Sequence, residues 1–326
     1  VSGQWRSRPV DERYTSLLDL RDRYRDLRAR SAAKVVSTRA LTVEPDPADE
    51  RDGLLVRGAN GGAARFTHWS LGQVAGLAGA PAGYLRTLPA PLAADCVNYG
   101  LRFERDDEDV GILLTRERET EAGPQLPVVR AATGPVYGRV WNAEVAEALV
   151  ARFGDGTTGP WKVPGEFGVD VPVTKDNTTI YGGDRDCFVF LADEKNRVEL
   201  PNRRNGKSGS LARGFYVWNS EEGSRSLGAA FFLFDHVCCN RIIWGQEEFT
   251  EVRVRHSSGA PARWLGEVAP VLEAYSSASG SPVIAAIEAA RSVKLAKVDE
   301  FLAGRFGRGL VDKLKVVHEQ EEGRPV

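Results

Sequence analysis

The chain reads as an α+β protein with a central antiparallel or mixed sheet, a helical N-terminal module and a helical C-terminal tail. Three observations predict this. The densest apolar runs are strand-length and fall between Tyr181 and Gly245. Helix-period segments come before and after that stretch and do not alternate with it, which disfavours a doubly wound sheet. A Gly/Pro-rich segment from Gly154 and a composition shift after Gly259 divide the chain into a helix-rich α+β region (1–153), a strand-rich region (154–258) and a helical region (259–326).

Taken in order, Asp11 to Arg30 places Tyr14, Leu17, Leu18, Tyr24 and Leu27 near helical spacing between Arg and Asp, which predicts a solvated amphipathic helix. Lys34 to Val43 alternates as a strand, Glu44 to Gly53 is a polar breaker, and Leu54 to Arg57 is a short strand. Thr67 or Ser70 caps a helix carrying Leu71, Val74 and Leu77. Two short helices split at Pro89 follow, with Tyr84, Leu85 and Leu88 as an apolar face. Ile112–Thr115 and Leu126–Ala131 predict strands around a charged tip, and Asn142–Phe153 predicts a helix. Strands are expected at Thr178–Tyr181, Cys187–Ala192, Arg197–Leu200 and Gly214–Trp218. Leu227–Trp244 is apolar nearly throughout, so periodicity leaves helix and strand undecided. Glu251–Arg255 alternates, with Val252 and Val254 inward and charges outward. Helices are expected at Pro261–Tyr275, Ser281–Ser292, Lys297–Ala303 and Val311–Glu319.

Composition excludes several classes. With 42% hydrophobic and 27% charged residues the chain matches soluble globular proteins. A net charge of −2 gives no global pull toward nucleic acid, so an anion site has to be local. No apolar run approaches the roughly 18 residues of a membrane span, and the polar start predicts no secretory leader. The four cysteines, Cys96, Cys187, Cys238 and Cys239, are too few and too clumped for a disulfide framework, which predicts a reducing cytoplasm.

Catalytic signatures are weak. Gly206–Ser208 reads GKS, but Pro201 stands where a phosphate loop needs its first glycine, and the flanks run strand to strand. His236, Cys238, Cys239 and Cys187 lack zinc-ligand spacing, and His68, His256 and His318 lie far from any nucleophile elbow. No cofactor is expected. Asp184 and Asp186 sit at the mouth of an apolar strand; with Asp193 or Glu194 they form a candidate Mg²⁺ site for an enzyme acting on nucleic acid or nucleotides.

The leading candidate is cationic. Arg203, Arg204, Lys207 and Arg213 fall within eleven residues, and Tyr216 and Trp218 follow two apart on one strand face. Cations neutralise phosphates while rings stack bases, so the pattern fits single-stranded DNA. Arg253 and Arg255 share a strand face and extend the stripe, whereas Glu221 and Glu222 oppose it.

The blocks YGGDRDCFVFLADE, LPNRRNG, ARGFYVWNSEEGSRSLG and FLFDHVCCNRIIWG together resemble the phage- and plasmid-like family called domain of unknown function 932. GAPAGYLRTLPAPLAADCVNYGL and VYGRVWNAEVAEAL extend the resemblance from about Tyr14 to Pro325. It implies mobile-element biology and supplies no catalytic residues. A looser similarity to single-strand annealing proteins of recombination implies a bent sheet with helices, a homo-oligomer and a basic groove for DNA. The expected function is therefore a DNA-transaction protein that binds single-stranded DNA. The alternatives are the Mg²⁺ enzyme and a non-enzymatic interaction protein acting through the helical tail.

Overall fold

The computed structural model describes residues 8–58, 62–121, 123–164, 172–200, 209–235, 243–245, 251–278 and 296–322, with isolated positions between 285 and 292. The first half contains β1 (Arg13–Tyr14), α1 (Leu17–Arg30), β2 (Ser31–Ser37), β3 (Thr42–Asp46), β4 (Asp49–Arg57) and β5 (Ala63–Phe66). Then come α2 (His68–Leu77), α3 (Ala82–Leu85), α4 (Ala90–Tyr99), β6 (Asp109–Thr115), β7 (Val128–Thr133) and α5 (Asn142–Phe153). The helix of α4 continues through a π segment, Gly100–Glu104.

The second half contains β8 (Trp161–Lys162), β9 (Ile180–Gly182), β10 (Cys187–Asp193), β11 (Val198–Leu200), β12 (Gly209–Asn219), β13 (Leu227–Asp235), β14 (Ile243–Gly245) and β15 (Val252–Val254). A helical tail follows: α6 (Ala260–Arg263), which passes through a π segment (Trp264–Val268) into α7 (Ala269–Ser277), then α8 (Val298–Phe306) and α9 (Val311–Glu322).

The fold is α+β, but the strands form two sheets where one was expected. One runs β2-β6-β7-β5-β4-β3 and is mixed, its parallel pair being β5 with β7. The other runs β1-β9-β10-β12-β13-β14, with β8 on β10, β11 on β12 and β15 on β13, and is antiparallel. The expected polar breaker at Glu44–Gly53 is the β3–β4 hairpin. Asp46 closes it: one carboxylate oxygen accepts from the Ala48 N–H at 2.9 Å and the other from Arg65 Nε at 3.1 Å. Pro45 is tolerated because β3 is an edge strand.

Local sequence explains the helices that frame the second sheet. Ser16 caps α1 by accepting from the Asp19 N–H at 3.1 Å, and Leu17, Leu20 and Tyr24 form its buried face. They join Val145, Leu149 and Phe153 of α5 and Trp264, Leu272 and Tyr275 of the α6–α7 segment in one core. Thus β1, α1 and α5, from the first 153 residues, pack with the sheet built from residues 161–254. In α2, Thr67 and Ser70 form a reciprocal capping box. Tyr84, expected on an apolar face, is 61% exposed because the short α3 turns Leu85 inward instead.

The undecided segment after Leu227 is strand to Asp235, and 236–242 lie outside the described residues. β10 is buried along its whole length, consistent with a strand covered on both faces. In β12 the faces separate by parity. Phe215 and Val217 enter the helix-covered core, while Tyr216 and Trp218 join Phe188, Phe190 and Phe232 on the opposite face. Among the described residues no helix is long and apolar enough to cross a membrane.

Candidate functional site

The structure brings three predicted residues together. The Tyr216 and Trp218 rings lie 5.6 Å apart. Register places Gly228 between Trp218 and Arg253, and the Arg253 guanidinium sits 5.8 Å over the Trp218 ring. A Cβ at position 228 would overlap the indole, so glycine there makes the room the ring needs. Arg255 is exposed one residue beyond β15.

Other expectations need correcting. Trp218 is only 6% exposed and belongs to an aromatic cluster, so it is no open stacking platform; Tyr216 is half-buried. Arg213 leaves the stripe altogether. Its odd parity in β12 sends it to the other face, where it is buried, pairs with Asp193 at 3.0 Å and lies 5.5 Å over both Trp161 and Tyr275. Arg253 is 66% exposed but contacts the Glu251 carboxylate. Arg203, Arg204 and Lys207 lie outside the described residues, as do His236, Cys238 and Cys239.

Three of the acids named for an Mg²⁺ site, Asp186, Asp193 and Glu194, are engaged by arginines. Asp186 is buried between Arg8 Nη1 and Arg225 Nε, each 2.6 Å from one of its oxygens. Two guanidiniums already neutralise that carboxylate. Asp193 holds Arg213, and Glu194 pairs with Arg197 at 3.3 Å. Among the described residues no group of three or more His, Cys, Asp or Glu side chains is placed to hold a metal ion.

A polar junction that the sequence did not reveal lies around the turn after β12. Asn219, Ser220, Glu221 and Glu222 are all buried. Glu221 Oε1 accepts from the Asn142 N–H at 2.7 Å, placing a carboxylate at the N-terminus of α5. Arg130 of β7 reaches across from the mixed sheet: its Nη2 lies 3.1 Å from Glu221 Oε2 and contacts Glu222 Oε1. The Glu222 carbonyl accepts from Trp69 Nε1 at 3.0 Å and Gln73 Nε2 at 2.7 Å, and the Tyr137 hydroxyl donates to the Ser220 carbonyl at 2.8 Å. One turn therefore ties together β7, α2, α5 and the 134–141 segment. Among the described residues, Arg130 Nη1, Arg139 Nε, Asn142 Nδ2, Asn219 Oδ1 and Glu222 Oε2 are buried without a hydrogen-bond partner. Next to it, the Arg139 guanidinium lies between the Tyr137 and Trp141 rings at 5.3 and 5.9 Å, and Tyr137 stacks on His256 at 4.8 Å.

Burial pushes the Glu222 carboxyl up, against the pull of Arg130, and Glu221 pushes it the same way. Even with Arg130 in contact and Arg139 nearby, burial of two adjacent carboxyls favours retention of a proton. Burial pushes the His256 imidazole down. A carboxyl raised in the folded state stabilises fully below its ordinary value of 4.5, and that contribution is lost as pH rises through the folded value. His256 acts oppositely, losing its contribution as pH falls below 6.5. Urea midpoints of wild type and Glu222→Gln across this range should diverge, with wild type falling more steeply toward alkaline pH. Parallel curves would contradict the assignment.

Residues 175–302 of the 326 match the family model for a domain of unknown function, DUF932. The matched segment covers β9 to β15, the α6–α7 segment and the start of α8, and it includes the Asn219–Gly223 turn. No curated protein and no solved structure matches the chain.

Proposed function

We propose that this chain is a DNA-transaction protein that binds single-stranded DNA along the β12–β13–β15 side of its antiparallel sheet. The observation that carries the reading is the run of contacts from Tyr216 to Trp218 to Arg253, with Arg255 exposed two residues further on. Its parts have divided roles. Trp218 is the buried support that holds the Arg253 guanidinium, Arg253 and Arg255 meet phosphates, and half-buried Tyr216 offers a ring edge to a base. Arg203, Arg204 and Lys207 precede β12 in the sequence and lie outside the described residues. Backbone contacts of this kind carry no sequence information, so binding is expected to be nonspecific.

Glu251 holds Arg253 in the free protein and competes with phosphate for it. Glu251→Gln should therefore tighten binding of a fluorescein-labelled oligothymidine, measured by anisotropy at low salt. Arg253→Ala with Arg255→Ala should weaken it and lower the log–log salt slope by about 0.7 per lost phosphate contact. Tyr216→Ala should weaken binding by about 1–3 kcal/mol. Unchanged affinity in all three variants would remove this face from consideration.

A further inference from the structure

We infer that the exposed face of α4 is the surface through which two copies of this chain pair. At 100° per residue, Leu92, Cys96 and Tyr99 fall on one narrow stripe of α4, opposite the buried Ala93, Ala94 and Val97, and Phe103 of the π segment continues it beside Tyr99. Leu92 is 49%, Tyr99 56% and Phe103 72% exposed, and the two rings lie 5.3 Å apart. An apolar patch of this kind on a folded surface marks an interaction site. Its C-terminal end is fixed, because the Arg39 guanidinium donates to the carbonyls of Arg102 and Arg105.

Charge selects the occupant. Arg102 lies at one flank of the stripe, where its Nη2 donates to Thr42 Oγ1 at 3.5 Å, while the Arg105 guanidinium packs at Gly79; Glu104, Asp106, Asp107, Glu108 and Asp109 lie around them and are exposed. That run repels a phosphate backbone or an anionic lipid surface. A second copy fits both signs. If the two helices run antiparallel across a two-fold axis midway between residues 98 and 99, Asp95 of each copy faces Arg102 of the other. These residues share one flank of the stripe, and a two-fold in this orientation brings like flanks together. The acidic run of each copy then lies at the positive N-terminal end of the other's α4, at Ala90. The aromatic stripes close on one another at the centre, where interface energy concentrates.

Light scattering and sedimentation of the full chain test this. Wild type should have twice the chain mass at micromolar concentration. Phe103→Glu should be monomeric with unchanged circular dichroism, since that side chain supports no core. Asp95→Arg should weaken the dimer about tenfold or more, and Asp95→Arg with Arg102→Asp should restore it, because the pair is exchanged across the axis. Arg253→Ala with Arg255→Ala should leave the dimer intact, which separates this inference from the DNA-binding reading. A monomeric wild type, a dimeric Phe103→Glu or a double exchange that fails to restore pairing would overturn it. So would a monomer whose oligothymidine binding is lost in Phe103→Glu, which would assign the face to nucleic acid.

Discussion

Arg130→Met should destabilise the protein by about 3–5 kcal/mol, one of the two largest losses expected of any single substitution discussed above. Arg130 is 5% exposed, and its guanidinium is the shared partner of Glu221 and Glu222, themselves almost fully buried. Methionine fills much of the volume, so lost packing is small. The loss arises from the Glu221–Glu222 acid pair, which keeps a buried negative charge, left in a low-dielectric junction without its contacting cation. Arg130→Met combined with Glu221→Gln and Glu222→Gln should recover most of the stability, since neutral amides remove the unpaired charge. Urea unfolding of the three proteins, beside Arg255→Met as a surface control expected within about 0.5 kcal/mol of wild type, gives the comparison. A loss for Arg130→Met no larger than that control would show that the junction is hydrated and the ion cluster marginal.

Trp218→Ala should also lower stability by about 3–5 kcal/mol, whereas Tyr216→Ala should lower it by much less. The two residues share a strand face two positions apart, yet their environments differ. Trp218 fills the space above Gly228 and is buried in the aromatic cluster, while Tyr216 is only half-buried. Removing the indole leaves a cavity that the rigid antiparallel ladder cannot collapse into. It also removes the surface on which Arg253 rests, so DNA affinity should fall even though Trp218 touches no base. Equal losses for the two variants would mean that Trp218 is as accessible as Tyr216, and the division of roles between them would fail.

Local signals made much of the fold readable. The α5 helix was expected at Asn142–Phe153 and found there, because its apolar period and glycine stop need no tertiary context. The start of α2 at Thr67 or Ser70 was readable for the same reason, and both residues take part in its cap. What failed was non-local. Separation of the strands into two sheets depends on pairings such as β1 with β9, more than 160 residues apart, that no local pattern encodes. The Glu44–Gly53 segment was misread because a tight hairpin with polar strand ends looks like a breaker in one dimension.

The site was legible only in part. Parity along β12 was enough to pair Tyr216 with Trp218, and the same parity placed Arg213 on the opposite face; grouping cations by proximity in sequence obscured that. The burial of Trp218 could not be read, since an alternating aromatic is equally compatible with surface and core. Glu221 and Glu222 looked like surface acids opposing a basic stripe. Their partner, Arg130, lies some 90 positions upstream on the other sheet, so neither its identity nor their burial had a sequence signal.

The binding account is tested most directly by one titration: oligothymidine affinity of the wild-type protein from low to physiological salt. Affinity that falls steeply, with a log–log slope of about −0.7 for each phosphate engaged, is the result expected from a cation-led surface. Undetectable binding at low salt, or an affinity indifferent to salt, would contradict it.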